Sequence, residues 1–142
     1  MLRGMTTVNY WAADVTAAKA WYSEVLGVEP YFERPGGGEP PAYLEFRIGD
    51  YQHELGLIDA RYRPPTDADG PGGVVVYWAV DDVQAAFDRL LELGAKPHQQ
   101  VTTRGEGFVT ASVVDPFGNI LGLIQNPHWR GEDGRRAPAS AG

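Results

Sequence analysis

The chain has 142 residues, with 12 Lys and Arg against 19 Asp and Glu, so its formal net charge at pH 7 is −7. This length is typical of one domain, and the acidic balance argues against a nucleic-acid partner because phosphate binding requires a basic face. The absence of cysteine excludes a disulfide scaffold, a thiolate zinc site and a cysteine nucleophile. With no run of 18 apolar residues and no signal-peptide pattern, we expect a cytoplasmic protein without a membrane partner.

The chain carries an internal repeat. Nine residues are identical between the blocks 8–30 and 75–97 at a constant offset of 67 residues. A second pair of segments, 55–58 and 121–124, reads LGLI in both copies at an offset of 66 residues. Two repeats in the same order indicate two copies of one structural module.

The first copy opens with alternating residues that predict a strand over 6–13. Asp14 suits the N-cap of a following helix, which Gly27 is expected to end. Three strands should follow, over residues 28–34, 42–48 and 52–59. The segment 35–41 is rich in glycine and proline and predicts a mobile, turn-like loop.

The second copy predicts the same order of elements. A strand over 74–80 precedes a helix over 82–93 that ends at Gly94. Three more strands are expected over 95–101, 107–114 and 119–126.

These elements predict an α+β fold in which two tandem βαβββ modules form a curved mixed sheet with a concave cleft. Residues 1–127 are expected to make one domain. Within it the first module covers 5–60, a linker covers 61–73, and the second module covers 74–127. Residues 128–142 predict a partly disordered C-terminal extension.

Two short motifs carry a family resemblance: WYSEVLG at residues 21–27 and DPFGN at residues 115–119. Together with the duplicated βαβββ pattern, they resemble the vicinal oxygen chelate superfamily, which includes glyoxalase I, the extradiol dioxygenases and the bleomycin-resistance proteins. The resemblance covers residues 5–127 and implies a homodimer that binds a small molecule in a cleft. Apart from the resemblance, Asp115 is expected to cap the turn that it begins by accepting hydrogen bonds through its side chain.

The resemblance also implies four metal-ligand positions, a His or Gln on the first strand of each module and a Glu on the last. In this chain those positions carry Thr7, Val74 or Val75, Gly56 and Gly122. None of these residues supplies an imidazole or a carboxylate, so we predict no metal and no cofactor. A relocated metal site built from His53, Glu54 and His98 is the alternative.

The two glycines allow two interpretations. Gly56 and Gly122 either leave open space for a ligand or admit a neighbouring strand or helix. Tyr10-Trp11 and Tyr77-Trp78 stand at equivalent strand positions, and the repeat favours Trp78 over Tyr77 as the residue that faces the cleft.

Strand alternation selects a set of residues for the cleft. Glu54 is expected to share the face of Gly56, either as a general base or cation-binding group or as a solvated edge carboxylate. Phe46 is a further expected wall. The expected ligand-binding residues are Thr7, Asn9, Trp11, Tyr43, Glu54, Gly56, Tyr77, Trp78, Phe108, Thr110, Ser112 and Gly122.

These features predict a metal-independent small-molecule binding protein that sequesters an aromatic or cationic compound, a role suited to antibiotic resistance. One alternative is a divalent-metal-dependent lyase, isomerase or dioxygenase with the relocated site. A metal-free enzyme with Glu54 as its base and an interaction module whose own aromatic side chains fill the cleft are also open.

Overall fold

The computed structural model describes Met1, residues 6–36, 39–63 and 70–129, and Gly131. The chain divides into two compact units, Met1–Asp67 and Ala68–Gly142, with the boundary inside the predicted linker. Of the predicted C-terminal extension, residues 128, 129 and 131 are described, and the others lie outside the described residues.

The first unit contains four strands and one helix. In chain order these are β1 (Thr7–Ala12), α1 (Val15–Leu26), β2 (Phe32–Gly36), β3 (Glu39–Ile48) and β4 (His53–Asp59), with a short 3₁₀ helix at Ala60–Tyr62. The sheet order is β1-β4-β3-β2; β1 is parallel to β4, and the other neighbours are antiparallel. The unit is therefore one βαβββ module.

Local interactions set both ends of α1. The side chain of Asp14 accepts a hydrogen bond of 2.9 Å from the backbone N–H of Ala17, which satisfies a free donor of the first turn. Gly27 adopts the left-handed conformation, with φ 68°, and its N–H donates to the carbonyl of Ser23 at 2.9 Å. The predicted N-cap and C-terminal glycine are confirmed.

The core of this unit lies between α1 and one face of the sheet. Buried Ala18 and Tyr22 face the sheet, and the ring centroid of Tyr22 lies 6.0 Å from that of Tyr10. Because alternate strand residues share a face, the fully buried sheet residues on this side are Leu44, Phe46, Leu55 and Leu57. We call the opposite side of the sheet the helix-free face.

The second unit repeats the first. Its elements are β5 (Val76–Ala79), α2 (Val83–Glu92), β6 (Lys96–Gly105), β7 (Phe108–Val114) and β8 (Ile120–Gln125), with the sheet order β5-β8-β7-β6. The side chain of Asp82 caps α2 by accepting from Ala85 N–H at 2.9 Å. The core of this unit places Val83, Phe87 and Leu90 of α2 on the sheet that contains Ala111, Val113, Leu121 and Leu123.

The α+β class and the two tandem βαβββ modules are confirmed. One boundary differs: β2 begins at Phe32 rather than near residue 28, and Pro30 just before it has no N–H to donate to a neighbouring strand. The prediction of a loop over residues 35–41 is wrong at its flanks, since β2 continues to Gly36 and β3 starts at Glu39. The concave cleft concerns the placement of the two units and stays a prediction.

Within the described ranges, neither helix has the length and apolarity needed to cross a membrane.

Candidate functional site

The helix-free face of the first sheet brings polar residues from all four strands into rows. Thr7 of β1, Glu54 of β4 and Arg47 of β3 are cross-strand neighbours in one row. The next row holds Asn9, Gly56, Glu45 and Phe32, and the third holds Trp11, Ile58, Tyr43 and Arg34. Six predicted residues therefore share one face, as strand alternation predicted; they are Thr7, Asn9, Trp11, Tyr43, Glu54 and Gly56.

Glu45 is the centre of a hydrogen-bonded network on this face. Its side chain is only 9% exposed, and its two carboxylate oxygens accept hydrogen bonds from the hydroxyls of Tyr31 and Tyr43. The Tyr31 hydroxyl also lies 3.2 Å from Glu54 Oε1, so it stands between two carboxylates. Thr7 Oγ1 donates to Glu54 Oε2 at 3.0 Å.

Arg47 adds a positive charge beside this network. Its guanidinium carbon lies 4.1 Å from the ring centroid of Tyr31, and its Nε lies 3.7 Å from Glu54 Oε1. We call the six connected residues the Glu45 cluster; they are Thr7, Tyr31, Tyr43, Glu45, Arg47 and Glu54.

The proximity of the cluster's charges shifts its pKa values. Burial raises the pKa of Glu45, but hydrogen bonds from Tyr31 and Tyr43, with the positive charge of Arg47, lower it by more, so its net pKa is below the ordinary value. The hydrogen bond to Glu45 and loss of hydration raise the pKa of Tyr31 to about 12. Burial, followed by the hydrogen bond to Glu45, raises the pKa of Tyr43 still further. The cluster therefore keeps its carboxylate ionised and its phenols protonated at neutral pH.

We expect the phenols of the cluster to ionise late. In an alkaline titration followed by phenolate absorbance, Tyr31 should ionise near pH 12 and Tyr43 above that. Glu45→Gln should move both transitions toward the ordinary tyrosine pKa of about 10, because the negative acceptor is lost. Since the folded-state pKa values are raised, these phenols stabilise the fold below pH 10, and that contribution is lost as the pH rises through 12. Identical titration curves for the two proteins would contradict the hydrogen-bonded network.

The two glycines that mark the family's glutamate positions are covered by side chains of their own units. A Cβ at Gly56 would lie 2.9 Å from Tyr43 Cε2 and would overlap Asn9 Oδ1. A Cβ at Gly122 would lie 2.8 Å from Tyr77 Cδ1 and 2.9 Å from both Val75 Cγ1 and the carbonyl oxygen of Val76. The glycines therefore admit neighbouring groups of the chain, which favours the second of the two interpretations over open ligand space.

The second sheet carries fewer charged groups on its helix-free face. Tyr77, Gly122 and Ser112 are cross-strand neighbours, and Thr110 lies on the same face two residues from Ser112. Both hydroxyl residues are buried: His98 Nδ1 lies 2.8 Å from Ser112 Oγ, and Arg104 Nε donates to Thr110 Oγ1 at 3.0 Å.

Phe108 lies at the start of β7, with its ring centroid 5.6 Å from that of His128. Each of the predicted residues in this unit except Trp78 thus lies on or beside one face.

The prediction that Trp78 shares this face is wrong. Trp78 is the cross-strand neighbour of Leu123, on the side of the sheet that carries α2, whereas Tyr77 is the neighbour of Gly122. In the first sheet the tryptophan and the tyrosine exchange faces. Trp11 pairs with Ile58 on the helix-free face, and Tyr10 pairs with Leu57 on the side that carries α1. The indole Nε1 of Trp78 is buried, with no hydrogen-bond partner in the described part of the chain.

Two further expectations concern the opposite face of the first sheet. Phe46 is fully buried beside Leu55 in the core and is not a wall of the site. His53 and Glu54 are adjacent in β4 and alternate in direction, so they do not converge on one metal ion from the same face.

Three residues of the cluster are absent from the set predicted from the sequence: Tyr31, Glu45 and Arg47. Part of the signal was present, because Tyr43, Glu45 and Arg47 alternate along β3 and must therefore share a face. Tyr31 had no comparable signal, since it precedes β2 and reaches Glu45 only through the pairing of β2 with β3.

Residues 4–123 match the Glyoxalase/Bleomycin resistance protein/Dioxygenase superfamily. The chain belongs to this superfamily. A search of curated proteins finds no significant match.

Solved structures with the superfamily fold are similar over nearly the whole chain. A glyoxalase-related enzyme from Fulvimarina pelagi is 20% identical with a TM-score of 0.70, over 98% of this chain and 100% of its own. Lactoylglutathione lyase from Agrobacterium tumefaciens is 21% identical with a TM-score of 0.66, and the match covers 93% of this chain and 100% of that protein. A glyoxalase/bleomycin resistance protein from Catenulispora acidiphila is 21% identical with a TM-score of 0.58, and the match covers 85% of this chain and 96% of that protein. At these identities the likeness concerns the fold.

The superfamily's metal positions do not suit a metal ion in this chain. Val75 rather than Val74 faces Gly122, so the two units present Thr7 with Gly56 and Val75 with Gly122. One hydroxyl, one isopropyl group and two glycines offer no imidazole or carboxylate. Among the described residues, no group of three or more His, Asp or Glu side chains is placed to hold a metal ion.

Proposed function

We propose that this protein binds a small organic cation on the helix-free face of its first sheet, without a metal ion. The observation that carries the proposal is the position of Glu45 directly across from Gly56, at which the family resemblance implies a metal-binding glutamate. A second carboxylate, Glu54, lies within the same network of phenols. Ionised carboxylates beside aromatic rings are the chemistry that recognises organic cations.

Several features support binding rather than a specific reaction. Glu54 accepts a hydrogen bond from Thr7 Oγ1 and lies 3.2 Å from the Tyr31 hydroxyl, so neighbouring hydroxyl groups set the direction of its carboxylate. The rings of Phe32 and Tyr43, with centroids 6.2 Å apart, add apolar surface beside the charges. Small-molecule sites combine apolar walls with a few oriented polar groups in this way. A role for Glu54 as a general base stays a prediction.

The binding hypothesis predicts that organic cations bind and that Glu54 is required. In calorimetric titrations of the full chain, benzamidinium should bind measurably, and its neutral analogue benzamide should bind at least tenfold more weakly. Glu54→Gln should weaken benzamidinium binding about tenfold or more, because a charge-assisted hydrogen bond is replaced by a neutral one. Glu92→Gln, an exposed carboxylate on α2 in the other unit, is the matched control and should bind like the wild type.

Metal analysis separates this proposal from the metal-dependent alternative. After incubation with zinc, nickel, manganese or iron(II) and removal of free metal, we expect much less than one ion per chain. If the wild type instead holds about one metal ion per chain, and Glu54→Ala and His98→Ala each hold less, the proposal is overturned in favour of a relocated metal site. If no organic cation binds and metal is also absent, the binding hypothesis fails as well.

The remaining expectations extend the same proposal. We further propose that the protein is a resistance factor that sequesters a toxic compound, and that it acts as a homodimer in the cytoplasm.

A further inference from the structure

The Glu45 cluster already holds one cation, which belongs to the protein. The guanidinium carbon of Arg47 lies 4.1 Å from the centroid of the Tyr31 ring, with its Nε 3.7 Å from Glu54 Oε1. A planar, delocalised charge therefore covers an aromatic ring beside a carboxylate, which is the environment that the proposed function assigns to a ligand.

Arg47 is held weakly in this position. The 3.7 Å separation from Glu54 exceeds hydrogen-bond distance, so the pair lacks the charge-assisted hydrogen bond of a close arginine–carboxylate contact. The Arg47 side chain is 52% exposed, so its charge is screened by water. An exposed ion pair and an exposed cation–π contact each change an equilibrium constant by only about two- to fivefold.

The carboxylates do not depend on Arg47 for their positions. Glu45 is held by the hydroxyls of Tyr31 and Tyr43, and Glu54 is held by Thr7 Oγ1. Displacement of Arg47 would therefore uncover the face of the Tyr31 ring and one side of Glu54 while the rest of the cluster stays in place. Glu54 would then face the incoming group without the neighbouring guanidinium.

From this geometry we infer that Arg47 is an internal occupant of the ligand position, and that the ligand is a planar delocalised cation that displaces it. Amidinium, guanidinium and protonated heteroaromatic groups are the members of this class. Such a group reproduces the stack on Tyr31 and adds N–H donors that can approach Glu54 more closely than Arg47 does. A quaternary ammonium lacks these donors and is expected to compete poorly. This inference deepens the proposed function and rests on it.

Arg34 provides a matched control for the loss of one positive charge. It is exposed on the same face of the sheet, beside Tyr43, and lies outside the Glu45 cluster. Arg34→Gln changes the net charge of this face as Arg47→Gln does, but it leaves the stack on Tyr31 intact.

The experiment is calorimetric titration of wild type, Arg47→Gln and Arg34→Gln with benzamidinium and tetramethylammonium, after thermal melts have verified that all three proteins fold. We expect Arg47→Gln to bind benzamidinium about tenfold more tightly than the wild type, because the internal competitor is gone. Arg34→Gln should change the affinity by less than twofold, since Arg34 is exposed and its loss leaves the stack on Tyr31 and the Arg47–Glu54 pair unchanged. Tetramethylammonium should bind more weakly than benzamidinium in every protein.

A second readout observes the displacement directly. The Nε–H resonance of Arg47, assigned by its loss in Arg47→Gln, should move as benzamidinium saturates the wild type, and that of Arg34 should not. If the wild type binds benzamidinium while Arg47→Gln binds it equally or more weakly, the displacement is wrong and the proposed function stands. Equal tightening in Arg34→Gln would also overturn it, because a general charge effect would then suffice. If none of the proteins binds either cation, the proposed function fails together with the inference.

Discussion

Asp115→Ala is expected to lower the free energy of unfolding by about 3 kcal/mol, because it removes a buried, charged acceptor of three hydrogen bonds. Asp115 is 3% exposed. Its Oδ1 accepts from the backbone N–H groups of Phe117 and Asn119 at 2.9 and 2.8 Å, and its Oδ2 accepts from Asn119 Nδ2 at 2.9 Å. The turn that it closes joins β7 to β8, so β8 loses the anchor at its start.

Urea unfolding followed by tryptophan fluorescence measures this effect. Asp115→Asn keeps one acceptor oxygen, but its amide N–H₂ group would face that of Asn119. The decrease in the free energy of unfolding should therefore be about half that of Asp115→Ala. Asp82→Ala is the matched control, since it removes a carboxylate that caps α2 through one hydrogen bond and should cost about 1 kcal/mol. A stable Asp115→Ala protein with impaired ligand binding would contradict the structural role and assign this family motif to the binding site.

The second large effect is expected at the glycine of β8. Gly122→Ala should destabilise the fold by about 2–3 kcal/mol, because its Cβ would lie 2.9 Å from the carbonyl oxygen of Val76, a backbone atom that cannot turn away. Gly56→Ala should cost less, about 1–2 kcal/mol, because the groups that crowd its Cβ are side chains, the end of Asn9 and the ring of Tyr43, and no backbone atom. Gly72→Ala, with open space around its Cβ position, is the control and should be nearly neutral.

Double variants distinguish the two glycines further. Asn9→Ala should recover part of the stability lost in Gly56→Ala, because it removes the overlapping oxygen. Val75→Ala should recover little in Gly122→Ala, because the Val76 carbonyl stays in place. Equal stability of Gly122→Ala and Gly72→Ala would show that the β8 glycine has open space above it, and it would reinstate the ligand cavity expected from the sequence.

Much of the site could be predicted from strand alternation within single strands. Thr7, Asn9 and Trp11 of β1, and Glu54 and Gly56 of β4, were assigned to one face, and the structure brings these two strands together with that face in common. The part that could not be predicted is the network around Glu45, because it depends on which residues of β2, β3 and β4 stand opposite one another. Strand register arises from pairing between distant segments and is not encoded in the spacing within either strand.

The error at Trp78 has the same origin. The repeat relates the first strands of the modules by 67 residues and the last strands by 66, so Tyr77 would pair with Leu123 as Tyr10 pairs with Leu57. The structure pairs Tyr77 with Gly122 instead, a register shift of one residue between β5 and β8. A change of one residue exchanges the two faces of a strand. Tyr77 therefore lies against Gly122, where the repeat favoured Trp78.

The sequence by itself determined the two modules and the ends of α1, and it predicts that the positions implied by the family resemblance carry no metal ligand. These depend on interactions within a few residues, such as the hydrogen bond from Ala17 to Asp14, and on side-chain chemistry that no fold can alter. Only the tertiary structure decided that Glu45 lies between two phenols and that Arg47 covers the Tyr31 ring. Those contacts form when β3 pairs with its neighbours, because cross-strand distances of a few ångströms are set by register and not by separation along the chain.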